Sequence, residues 1–229
     1  KLLGPIQHRG AQAQADLALL RAREALVRAR TALVNHVRGA IKSVGRRVQK
    51  YSTASFHKKV LDEIPSQLSM ALNPLVETIQ KLTQQIRTYD DAVEEMGQKK
   101  YPETARLRQV PGVGALTSLA YVLTIEDPRR FAKSREVGPY LGLVPRQAQS
   151  GRSHPQLRIT KAGDVFLRRL MVGSAQYILG RYGPDTDLRR WGLALAERGG
   201  KNAKKRAVVA VARRLAVLLH RLWITAEVY

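Results

Sequence analysis

The chain has 229 residues, 44% of them hydrophobic, with 40 Lys and Arg against 18 Asp and Glu and a formal net charge of +22. That apolar content is enough to build one large core or two small ones and excludes a disordered tail, while the charge excess favours a polyanionic partner, DNA or RNA, over a merely soluble surface. Cysteine is absent, which excludes a disulfide framework and a thiolate metal site and fits a cytoplasmic protein; no apolar run is long enough to span a membrane, no signal-peptide pattern opens the chain, and no aromatic-rich apolar face is left to enter lipid.

From about residue 10 to 43 there is no proline, and Leu20, Val27, Val34 and Ile41 recur beside Leu19, Leu26 and Leu33. This predicts a long amphipathic helix whose other faces carry Arg21, Arg23, Arg28, Arg30 and Arg38. Those arginines read equally well as a solvated face or as nucleic-acid contacts. After a polar stretch, a short helix is predicted near 56–64. A second long helix then starts at Pro65 or at Pro74, with Leu68, Leu72, Leu75, Ile79, Leu82, Ile86, Tyr89, Val93 and Met96 at alternating spacings of four and three. That is a coiled-coil seam, interrupted by Pro74 as a fresh start or a kink. Asp90, Asp91, Glu94 and Glu95 read as its exposed flanks rather than a metal site. The two long helices are expected to pair as an antiparallel hairpin or with a second subunit. Gly97 and Tyr101-Pro102 end this arm, dividing the chain into 1–100, a helical arm, and 101–229, a compact multi-helix domain. The fold class is therefore all-α.

The second part predicts helices at 103–109, 115–125, 134–141, 162–179, 186–198 and 203–225. In Arg108-Gln-Val-Pro-Gly-Val-Gly-Ala-Leu-Thr, Gly112 and Gly114 permit a tight turn that brings backbone N–H groups and a helix N-terminus against phosphate, in the manner of a helix-hairpin-helix. A plain turn between packed helices is the competing reading. Between Leu143 and Thr160 lies a long irregular segment, and loops of that length in compact domains are functional or disordered. Within and after it, Arg146, Arg152, Arg158, Lys161, Arg168 and Arg169 surround Ser150-Gly151, with Asp164 the only nearby acid. Cations around an exposed hydroxyl favour a phosphodiester and the charge that builds when it is attacked, although Ser-Gly by itself is an ordinary loop pair. His154, followed by proline and without a neighbouring carboxylate, reads as a hydrogen-bonding or phosphate-contacting residue rather than a base. Lys201, Lys204, Lys205 and Arg206 follow Gly199-Gly200 at the start of the last helix and form a third basic cluster. Trp191 and Trp223 fall on apolar helical stripes and read as core anchors. No metal-ligand spacing links the histidines.

Taken together, Val110-Pro-Gly-Val-Gly-Ala-Leu-Thr, Glu126-Asp-Pro-Arg-Arg-Phe, Tyr140-Leu-Gly-Leu-Val-Pro-Arg, Gln149-Ser-Gly, Ile159-Thr-Lys-Ala-Gly-Asp and Leu167-Arg-Arg-Leu resemble, in order, the C-terminal domain of the insertion-sequence one-ten transposase family, including its eleven-eleven branch. The resemblance covers about 101–229, and the helical arm resembles that family's linker. It implies DNA transposition by a recombinase with two half-sites: a RuvC-like domain whose four acids bind magnesium, and a serine, here Ser150, that becomes joined to DNA by transesterification. It also implies a structured guide RNA and a homo-oligomer. The four-acid domain has no counterpart near residues 1–20, where Asp16 is the one acid, so magnesium is expected outside this chain. A non-catalytic nucleic-acid-binding module of the same fold is the alternative. A structural coiled-coil adaptor is the third reading, and the basic clusters argue against it.

Overall fold

The computed structural model describes residues 9–153, 155 and 157–229; Gly4-Pro5 and His154 lie outside them. The protein is all-α. Helices α1 (Ala11–Ser43), α2 (Phe56–Lys59), α3 (Ser66–Lys99), α4 (Glu103–Leu107), α5 (Ala115–Ile125), α6 (Val137–Tyr140), α7 (Val165–Leu179), α8 (Asp187–Glu197) and α9 (Ala203–Thr225) are joined by loops and three 3-10 turns. Among the described residues, extended pairing is limited to the isolated bridges Pro145–Ile159 and Ser150–Ser153. The chain forms two units: Ala18–Val93, and the residues up to Leu17 together with Glu94–Tyr229.

Within Ala18–Val93, α1 and α3 run antiparallel. Arg23 meets Asp90 and Arg30 meets Thr83, while farther along α1 Val34, Val37 and Ile41 share a core with Leu72, Val76 and Ile79 from the start of α3. Phe56 and Val60 close that core, and each is fully buried. Burying side chains of this size contributes about 1.5–3 kcal/mol each, which offsets the cost of ordering two long helices. Pro74 lies inside α3 without ending it. It sits on the exposed face beside Met70, so the lost N–H donor of the helix ladder falls on the solvent side. The buried stripe includes Val37 on α1 and Val76 and Thr83 on α3, positions between the expected seam rows. Arg30, expected on a polar face, is 9% exposed. Its place four residues before Val34 and seven before Val37 puts it on the packed stripe.

In the larger unit α9 is the central element, packed against α4, α6, α7, α8 and the turns Pro128–Arg130 and Ser134–Glu136. Its small residues Ala203, Ala207, Ala212 and Ala216 are buried and allow close approach. On α8, a Cβ at Gly192 would meet Val211 Cγ2 at 2.5 Å and Leu179 Cδ2 at 2.7 Å, so the helices cross where the side chain is absent. α5 is buried from Thr117 to Ile125, and its Tyr121 hydroxyl donates to Ala216 O at 2.7 Å. Trp223 tilts against Tyr121 at 6.3 Å between centroids. Trp191 is half-buried, with the Arg214 guanidinium 4.7 Å above its ring. His220 is fully buried, with Ser134 Oγ 3.0 Å from Nδ1 and Pro128 O 2.8 Å from Nε2.

Asp16 is held inside this unit, 7% exposed. It accepts from Tyr101 Oη at 2.5 Å and from Lys100 Nζ. Burial pushes its carboxyl pKa up, but hydrogen bonds from Lys100, Tyr101 and Gln12 outweigh that and hold it below the usual value. The helix expected at 134–141 is a 3-10 turn followed by α6. The one expected from 162 starts at Val165, because Gly163 has φ 75° and Asp164 caps the helix by accepting from Leu167 N at 2.8 Å.

Candidate nucleic-acid interface and serine loop

The segment between Leu143 and Thr160 leaves the larger unit through a locked base. Gly142 has φ 66° and Gly163 φ 75°, both in the left-handed region that favours glycine. A Cβ on Gly142 would lie 2.3 Å from Ala162 O, and one on Gly163 would lie 2.0 Å from Tyr140 O. Lys161 N donates to Gly142 O at 3.1 Å, Thr160 N to Val144 O at 2.9 Å and Arg146 N to Arg158 O at 2.9 Å. From the first turn of α7, Arg168 Nη1 donates to Leu141 O at 3.0 Å and to Ala162 O at 2.6 Å. Arg168 is 7% exposed. The sequence reading grouped it with the nucleic-acid contacts, but its guanidinium is turned inward, bracing the two strands of the loop base.

Beyond that base the loop is exposed. Ser153 N donates to Ser150 O at 2.9 Å and Ser150 N to Ser153 O at 3.4 Å, enclosing Gly151 and Arg152 as a two-residue turn. Gly151 has φ 53°, and a Cβ there would meet nothing within 4 Å, so the glycine answers to backbone angle rather than to space. Ser150 is exposed at this turn, and Arg146, Arg152, Arg158 and Lys161 are exposed along the loop. Asp164, the acid nearest in sequence, is occupied by its capping bond and by Arg9 at 3.8 Å. The loop therefore presents a hydroxyl in a stretch of unburied cations.

A groove of about 570 Å³ lies between the α4–α5 turn and α7, and Gly112, Gly114, Arg108, Arg169, Thr117 and Tyr177 line it. Gly112 has φ 84°, and a Cβ there would press on Tyr177 Cδ1 at 3.0 Å and Ser174 O at 3.2 Å, so glycine lets the turn sit directly on α7. Gly114 is the N-cap residue of α5 and offers no side-chain cap, and the first turn of α5 carries no acid. The N-terminal N–H groups of α5 therefore have no side-chain cap, and they and the positive end of the helix dipole suit an anion. Arg108 and Arg169 are both exposed. The structure thus brings Gly112, Gly114 and Arg169 to one groove. Tyr177, 48% exposed, escaped the sequence reading, since its apolar spacing on α7 resembles that of a core residue.

The third cluster does not line that groove. Lys201, Lys204, Lys205 and Arg206 are exposed at the start of α9, after Gly199 at φ 73° and Gly200 at φ 84°. Arg206 Nη2 reaches back to Gly199 O at 3.4 Å. Among the described residues no group of three or more His, Cys, Asp or Glu is placed to hold a metal ion, and no helix is long and apolar enough to cross a membrane.

Residues 104–189, spanning the α4–α5 turn, the serine loop and α7, match the family described as transposase IS116/IS110/IS902. Over these residues the chain is similar to a transposase domain of that family. Around this stretch the likeness extends along nearly the whole chain. The transposase for insertion sequence element IS1111A of Coxiella burnetii is 31% identical over 98% of the chain and 62% of its own length. A probable family 20 transposase of Pseudomonas aeruginosa is 30% identical over 89% of the chain and 61% of its own length. A putative transposase of Sinorhizobium fredii is 29% identical over 96% and 57%. The chain thus spans about three-fifths of the length of these curated relatives.

Proposed function

We propose that this chain is the DNA-gripping, serine-bearing half of an insertion-sequence transposase, acting in the cytoplasm on DNA. The observation that carries the reading is the placement of Ser150. It is exposed at a two-residue turn whose base is locked by Gly142, Gly163 and Arg168, on a loop bearing Arg146, Arg152, Arg158 and Lys161. In the proposed transesterification Ser150 Oγ bonds to a backbone phosphorus and the bond from that phosphorus to one strand oxygen breaks. The serine proton leaves to solvent or a base, and the departing oxygen takes up a proton. The number of phosphodiester bonds is unchanged, so no external energy source is needed. The loop cations would stabilise the extra negative charge on the phosphorus oxygens during attack. The groove at the start of α5, with Arg108 and Arg169, and the cluster Lys201, Lys204, Lys205 and Arg206 would hold the flanking backbone without reading bases.

The resemblance to the insertion-sequence family implies further parts: a structured guide RNA, a homo-oligomer assembled through the α1–α3 arm, and magnesium held by a four-acid domain. The described acids here do not fit a magnesium site, and no step above runs through a metal on this chain.

In a reconstituted recombination reaction supplied with the acidic domain, Ser150→Ala is expected to abolish the covalent protein–DNA adduct while leaving DNA affinity within about twofold, since an exposed hydroxyl contributes little to binding. An adduct that persists in the variant removes Ser150 from the chemistry. The second reading, a non-catalytic nucleic-acid-binding module, is favoured by the charge of +22 alone. It predicts salt-sensitive binding with no adduct even from the unaltered chain.

A further inference from the structure

The unit Ala18–Val93 carries 13 Lys and Arg against 6 Asp and Glu, and two of its cationic or protonatable side chains are buried without an answer. Arg30 on α1 is 9% exposed and His57 on α2 is 7% exposed. The Arg30 guanidinium reaches Thr83 Oγ1 at 3.4 Å, a weak contact with a hydroxyl that already donates to Ile79 O at 2.7 Å. Arg30 Nε and His57 Nδ1 have no hydrogen-bond partner among the described residues.

Their surroundings deepen the imbalance. Burial and then the charge of Arg23 push the Arg30 pKa down, Asp90 pulls against them, and Arg87 adds a smaller downward push. Burial, then Lys58, Arg87 and Arg30, lower that of His57. Asp90 is the acid at hand, and its carboxylate is bonded to Arg23 Nε at 2.5 Å. Arg87 is exposed, so the cluster reaches the surface along α3. A buried guanidinium without a counter-charge is strongly unfavourable, and proteins keep one where a ligand supplies the missing charge.

We propose that Arg30, His57 and Arg87 form an oxyanion site in the α1–α3 unit that binds a phosphate group. A tetrahedral phosphate would accept from Arg30 Nε–H and from the His57 ring, and meet the exposed Arg87. Charge-assisted bonds of this kind are the strong class, and a guanidinium suits phosphate better than an ammonium does. The group comes either from free inorganic phosphate or from a nucleic-acid backbone lying across the arm. The site is separate from the serine loop and does not depend on Ser150.

The test uses the full chain and two variants, Arg30→Met, which fills the space without charge, and Arg87→Gln, which is exposed and leaves the core untouched. Melting temperature is followed as inorganic phosphate replaces chloride at constant ionic strength, and the Arg30 Nε–H and His57 ring resonances are followed in the same titration. The site predicts a saturable rise in melting temperature and movement of both resonances in the unaltered chain. The rise is lost in Arg30→Met and weakened in Arg87→Gln. A DNA duplex then separates the sources. If the backbone is the occupant, Arg30→Met weakens duplex binding by about tenfold and lowers the salt slope by about one; if free phosphate is, duplex binding is unchanged while phosphate still saturates. A chain whose melting and resonances do not respond to phosphate and whose duplex binding ignores Arg30→Met overturns the site. So does a phosphate response that survives in both variants.

Discussion

The base of the serine loop and the middle of the α1–α3 arm each bury an arginine, and they hold it in opposite ways. Arg168 gives two hydrogen bonds to the carbonyls of Leu141 and Ala162 and so ties the start of α7 to both ends of the loop. Arg30 has one long contact to a hydroxyl and a donor left open. Carbonyl partners turn a buried cation into a brace. An open donor among other cations leaves a place for an anion. The same residue type at the same burial therefore serves rigidity in one region and recognition in the other, and partners rather than exposure tell the two apart.

The comparison breaks first if the loop base is not rigid. Gly163→Ala places a methyl 2.0 Å from Tyr140 O at a positive φ. It is expected to cost about 4 kcal/mol in urea unfolding, or to prevent folding. A cost under about 1 kcal/mol would show that the base yields, and that Ser150 is not held in place. Next, Arg168→Met strands two carbonyls and should cost about 3 kcal/mol. The loss should be the same with and without phosphate.

A smaller effect is expected where the N-terminal end of α1 is tied to the start of the larger unit's main segment. Asp16→Asn should cost about 2 kcal/mol near neutral pH. Because the Asp16 carboxyl is held below its ordinary value, its contribution is complete above the unfolded value near pH 4 and fades as pH falls below that through the folded value. The gap between the unaltered chain and the variant should therefore close in acid, as read from unfolding curves across pH. Smallest is Arg30→Met without phosphate, expected within about 1 kcal/mol of the unaltered chain or slightly more stable, because an apolar side chain replaces an unanswered charge. A loss as large as that of Arg168→Met would mean that Arg30 is a brace as well.

Much of the architecture was legible in the chain. The apolar run of α5 and the apolar stripe of α9 mark 115–125 and 203–225 at the same residues the structure does, because each is bounded by glycine or asparagine at its start. Arg30 and Arg168 were misplaced for a common reason: each lies on a buried stripe, with Val34 and Val37 in one case and Leu167 and Met171 in the other, but a charged side chain was read by its charge instead of by its register. The groove of Gly112, Thr117, Arg169 and Tyr177 joins segments about sixty residues apart, and no local pattern shows that they meet. The serine loop was visible as an irregular stretch, while the locking of its base rests on Gly142 and Gly163 approaching backbone from the opposite end of the loop.

The most direct test of the proposed chemistry is to trap the protein–DNA adduct from a reaction supplied with the acidic domain and locate the linkage by peptide fragmentation. The account predicts a nucleotide phosphate attached to Ser150. Attachment at any other residue, or strand exchange that proceeds with no attachment at all, would contradict it.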